Sequence, residues 1–135
     1  MQLNGIVLDA SAIISVITDE PEGFKVIELT QNSSIICPNI ITFEIANSIT
    51  RMIKKRLILD KNKAIDLVKS FNQIHIQLVK NDIEKIIEIA WKYKIYAYDA
   101  FYLETALELN LPLLTFDKEM KKIATNMGII VLGGQ

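Results

Sequence analysis

Gly5-Ile6-Val7-Leu8-Asp9-Ala10-Ser11-Ala12 is the stretch on which the fold turns. Its first half is a short, unbroken apolar run, the pattern of a strand buried on both faces. Such strands belong to parallel sheets covered by helices on either side. A carboxylate follows at once, and after it a helical pattern over residues 11–18. Working outward, four more runs share the character of the first: 34–37, stopping at Pro38, then 76–79, 112–115 and 129–132. Helical spacing fills the intervals at 22–31, 39–55, 60–73, 81–94, 97–109 and 117–127. Strands that alternate with helices predict an α/β fold. The expected architecture is a three-layer α/β/α sandwich around a central, mostly parallel five-stranded sheet. The long helical stretch from 39 to 73 predicts a helical arm or hairpin between the second and third strands.

The 135 residues, half of them hydrophobic, suit one domain over 1–135 with a sizeable core. The net charge of −1 excludes the strongly basic footprint of a constitutive nucleic-acid binder, so any such contact must be local or metal-mediated. A lone Cys37 excludes an internal disulfide and fits a reducing compartment. No signal-peptide pattern and no apolar run near the roughly 18–20 residues of a membrane span are present, so a cytoplasmic protein with no membrane contact is expected.

Open parallel sheets place their sites beyond the carboxyl ends of the strands. Asp9 directly follows the first predicted strand, and Asp117 follows the fourth. Each is also a favoured helix N-cap. Two carboxylates delivered to one sheet edge nevertheless point to a shared site. Asp99 lies in the 97–109 helix. At 100° per residue, Leu103, Ala106, Tyr102 and Leu107 flank it, whereas Glu104 and Glu108 fall opposite. A carboxylate centred on an apolar face needs compensation from a helix N-terminus or a cation. The alternative is that Asp99 caps a helix starting at residue 100. Glu44 stands beside the apolar arc of its helix, after a nearly uncharged stretch over 35–43. Converging carboxylates repel one another, and a hard divalent ion such as Mg2+ or Mn2+ removes that cost. It also activates water and steadies a leaving phosphate oxygen.

Four segments together resemble the PIN-domain nucleases, and within them the toxins of VapBC-type toxin–antitoxin pairs. Ile6-Val7-Leu8-Asp9-Ala10-Ser11-Ala12 is similar to the first family motif, and Phe43-Glu44-Ile45-Ala46-Asn47 to the second. Tyr98-Asp99-Ala100-Phe101-Tyr102-Leu103 resembles the third, and Leu113-Leu114-Thr115-Phe116-Asp117 the fourth. The resemblance implies metal-dependent RNA cleavage with Asp9, Glu44, Asp99 and Asp117 as catalytic metal-site residues. It implies supporting roles for Ser11 and Thr115, a Mg2+ or Mn2+ cofactor, a homodimer, and a VapB-like antitoxin partner. An RNA-processing nuclease outside such a pair, and a catalytically silent binding module, are the alternatives.

Other chemistry is weaker. A phosphatase of the haloacid-dehalogenase type would want a second acid where Ser11 stands, and a receiver-like domain would want adjacent acids there. Ser11 has no histidine partner for a Ser-His-Asp mechanism. The sole histidine, His75, has no partner motif, and Cys37 reads as core. The basic clusters at Arg51, Lys54, Lys55 and Arg56, and at Lys118, Lys121 and Lys122, read as solvated helix ends or RNA contacts. Trp91, Tyr93, Tyr96 and Tyr98 read as core or dimer packing rather than base stacking.

Overall fold

The structure is a computed structural model that describes residues 4–133; the outermost ends of the expected 1–135 domain lie outside them. The elements run β1 (Gly5–Leu8), α1 (Ala10–Ile17), α2 (Pro21–Thr30), β2 (Ser34–Pro38), α3 (Ile41–Lys54), α4 (Lys61–Gln73), β3 (Ile76–Val79), α5 (Ile83–Tyr93), α6 (Ala97–Leu109), β4 (Leu113–Leu114), α7 (Lys118–Asn126) and β5 (Val131–Leu132). The strands form one sheet in the order β3-β2-β1-β4-β5. Every pairing is parallel, so the expected "mostly parallel" sheet is wholly so.

Strand order explains the layers. From β1 the chain steps outward to β2 and β3, then returns across the sheet to β4 and β5. Crossovers between parallel strands are right-handed, so reversing direction moves the connecting helices to the opposite face. In keeping with this, α1 packs on α2, α3 and α4, whereas α5 packs on α6. The 39–73 stretch is the α3–α4 hairpin. β1 is fully buried, and Val7, Leu8, Leu113 and Leu114 form the centre of the core with Ile13, Ile41 and Leu103.

The differences from expectation have local causes. Asn39 does not start α3, because its amide donates to Val79 O at 3.0 Å and prolongs the ladder. Asp82 accepts from the Glu84 amide and starts α5 two residues later than periodicity implies. β3 carries an apolar run but lies at the sheet edge, and Leu78 is exposed. Trp91, Tyr96 and Tyr98 are also exposed, which corrects the core reading of those three. Cys37 is core as expected: its thiol points at Leu8 O, and burial pushes it up to about 12.

Candidate active site

The direction of travel reverses between the paired strands β1 and β4, so the connections leaving their carboxyl ends run to opposite faces of the sheet. The crevice between such connections is where open α/β sheets bind ligands. Asp9 leaves β1 and Asp117 leaves the β4 end at this place. Each caps the helix that follows: Asp9 Oδ1 accepts from the Ala12 amide at 3.1 Å, and Asp117 Oδ1 from the Met120 amide at 2.9 Å. Capping and membership of a cluster are therefore compatible roles.

Asp9 is buried, and burial raises its carboxyl above the ordinary value of 3.8. Hydrogen bonds from Thr115, Ser11 and the Ala12 amide oppose the shift, and the Asp117 charge adds to it. Ser11 Oγ donates to Asp9 Oδ1 at 2.7 Å, and Thr115 Oγ1 donates to Oδ2. The same hydroxyls also accept from backbone amides of the β4–α7 turn. Ser11 Oγ accepts from the Phe116 amide and Thr115 Oγ1 from the Asp117 amide, both at 3.1 Å. Two hydroxyls thus fix the Asp9 carboxylate and stitch the β1–α1 turn to the β4–α7 turn.

Asp99 belongs to the first turn of α6, whose N-cap is Tyr96, so the capping alternative fails. Its carboxyl is pushed up to about 6, first by burial and then by the charges of Asp117, Glu44, Asp9 and Glu119. No hydrogen bond contributes to that shift, so this carboxylate is the least committed of the four. Its helical surroundings partly correct the wheel. Tyr102, Leu103 and Ala106 are buried as expected, but Leu107 is exposed and Glu104 is only 4% exposed. The Glu104 carboxylate is satisfied by Asn81 Nδ2 at 2.7 Å, which also donates to Thr105 Oγ1. A wheel assumes one buried face, whereas α6 is packed by both the sheet and α5.

Glu44 projects from α3, in the opposite layer, and is half-buried. Its Oε1 accepts from the Tyr102 hydroxyl at 2.5 Å. Tyr102 is almost wholly buried, and burial together with the Glu44 carboxylate drives its phenol upward, so it stays a neutral donor. Sequence reasoning had Tyr102 only as a face marker. A buried phenol among aliphatic neighbours must find a polar partner, and that signal could have paired it with a site residue.

Two clefts open beside these carboxylates. One of 270 Å³ is lined by Asp99, Asp117, Glu119, Tyr96 and Lys94. The other, of 410 Å³, is lined by Ser11, Glu44, Asn47, Ser48, Arg51 and Lys55. His75 is exposed on the linker into β3, away from both. Among the described residues, no three His, Cys, Asp or Glu side chains close around a common point as they stand. Asp9, Glu44 and Asp117 are instead held on protein donors. The donor set still fits a hard divalent ion. It is all oxygen and mutually repulsive, and Mg2+ keeps several waters while touching only one or two carboxylates.

A family model described as "PIN domain" matches residues 6–126. A search of the curated proteins found no match. Among solved structures, PAE2754 from Pyrobaculum aerophilum is 19% identical with a TM-score of 0.72, covering 96% of this chain and 84% of that one. VapBC2 from Rickettsia felis, bound to a DNA fragment from its promoter, is 15% identical with a TM-score of 0.69 over 94% and 96%. VapC20 from Mycobacterium tuberculosis, a toxin that cleaves the sarcin–ricin loop, is 10% identical with a TM-score of 0.61 over 87% and 93%. At such identities the likeness is one of fold.

Proposed function

The chain belongs to the PIN-domain family, and from that premise we propose that it is a divalent-metal-dependent endoribonuclease, the toxin of a type II toxin–antitoxin pair. The observation that carries the reading is the convergence on Asp99 of acidic charge from both helical layers and the central strand. Asp99 is raised by Asp117, Glu44 and Asp9 together, at the crevice where the sheet reverses. Bound Mg2+ or Mn2+ would supply water activation and charge neutralisation for phosphodiester hydrolysis. Asp99 would offer the freest oxygens to such an ion, with Asp9, Asp117 and Glu44 completing the negative field. Ser11 and Thr115 hold the Asp9 carboxylate in one orientation and so act as positioning residues.

The same reading extends to partners. A toxin–antitoxin complex from Klebsiella pneumoniae is also among the structural neighbours, which favours a VapB-like antitoxin here. A homodimer is supported by Ile83, Ile87 and Trp91, one turn apart on α5 and all exposed. No helix of the described residues is long and apolar enough to cross a membrane. The deciding experiment compares wild type with Asp99→Asn on single-stranded RNA in Mn2+. The expected result is cleavage by wild type and a loss of at least about a hundredfold in Asp99→Asn, the scale of losing a key charge-stabilising group. Equal cleavage by a folded Asp99→Asn chain would remove Asp99 from the site.

A further inference from the structure

The basic cluster 51–56 does not act as one unit. Arg51 and Lys55 line the 410 Å³ cleft that holds Glu44 and Ser11, whereas Lys54 and Arg56 do not. The spacing is helical: Glu44, Asn47 and Ser48, Arg51, then Lys55 follow one stripe along α3 and just past its end. Beside that stripe, Ile41, Ile45 and Ile49 fix the orientation of α3 by burial in the core. At 1.5 Å per residue, Arg51 stands roughly 10 Å along the axis from Glu44, and Lys55 one turn further. That is the reach of a phosphate flanking a cleavage position rather than of the cleaved phosphate itself. Among the described residues, neither cation forms an ion pair. The one ion pair among the described residues joins Lys85 to Glu108, elsewhere on the molecule. Asn47 and Ser48 add uncharged donors to the same wall.

We propose that this cleft is the track for the RNA backbone on one side of the acidic centre, with Arg51 and Lys55 binding successive flanking phosphates. The inference rests on the nuclease reading and names how its substrate is held. It also accounts for RNA binding by a chain whose net charge is −1. The positive charge is local, shares a cleft with Glu44, and stands about two to three turns of helix from it.

The test measures binding apart from cleavage. Fluorescein-labelled single-stranded RNA is titrated with the Asp99→Asn chain across a KCl series, followed by anisotropy. The same is done with Arg51→Gln/Lys55→Gln and, as a charge-matched control, Lys61→Gln/Lys63→Gln on α4, each in the Asp99→Asn background. Removing one phosphate-binding cation lowers the salt slope of the binding constant by about 0.7 for a single strand, so the first pair should lower it by about 1.4. Affinity should fall roughly tenfold in that pair alone. Equal slopes in all three chains would overturn the track while leaving cleavage by wild type to judge the nuclease reading. Poly-glutamate bound as tightly as RNA, and released by the same two substitutions, would overturn it in favour of an acidic protein segment. No RNA binding by any chain, with no cleavage by wild type, would overturn both.

Discussion

Asp99 differs from its three acidic neighbours in having charge around it and no hydrogen bond to offset that charge. The folded state therefore holds its proton up to about 6, against an ordinary value of 3.8. Between those values the native chain binds more protons than the unfolded one, so this residue makes stability fall as pH rises. Metal-free protein should melt at higher temperature near pH 5 than near pH 7, and Asp99→Asn should flatten that difference. A melting series read by circular dichroism checks this; a wild-type Tm that climbs steadily to pH 7, unchanged by Asp99→Asn, would contradict it. Metal requires the deprotonated carboxylate, so Mn2+ affinity should weaken as pH falls through the same range. The residue scale is also where sequence reading reached furthest and then stopped. Asp9 and Asp117 were marked by strand ends and Asp99 by its helical face, whereas Glu44 stood out mainly through the resemblance to the second family motif. Of the partners that hold them, Ser11 and Thr115 were named only through the family resemblance, and Thr115 reaches Asp9 across the chain rather than along it. The Tyr102–Glu44 bond spans 58 positions, and nothing local encodes it.

At the scale of elements, the site depends on how α3 and α6 are held relative to the sheet. α6 presents Asp99 and, one turn on, Tyr102, whose hydroxyl reaches Glu44 on α3. One helix thus supplies an acid and restrains the acid of another layer. Tyr102→Phe removes a hydrogen bond to a charged group from a buried place and should cost about 1.5–3 kcal/mol by denaturant unfolding. RNA cleavage should fall as well, because Glu44 loses its fixed orientation. Unchanged stability and cleavage would show that the bond does no such positioning. Helix identities were readable from spacing, and α6 matches its expected limits of 97–109. Its faces were not, since a single wheel cannot register that sheet and α5 both cover it, and so Glu104 was placed on the wrong side. β3 shows the complementary failure, because an apolar run does not disclose whether a strand lies in the middle of a sheet or at its edge.

Taken as a whole molecule, the acids come from both layers and from the central strand, so their repulsion is a strain on the entire assembly. A divalent ion that relieves it should raise Tm for the whole chain in one cooperative step. The expected rise in Mn2+ should shrink in Asp99→Asn, which has less repulsion to relieve; an equal rise in both chains would place the bound ion elsewhere. Strand alternation made the layered sheet predictable, but strand order was not, because neither periodicity nor composition states which strand pairs with β1. That order has a consequence in time. The amides of Val7 and Asp9 find their acceptors on Pro112 and Leu114, which leave the ribosome more than a hundred residues after them. A nascent chain shorter than this exposes an open edge of β1 and lacks Asp117 entirely. The candidate centre therefore comes together only once residue 117 has left the ribosome, and a half-made chain has no complete set of carboxylates with which to act.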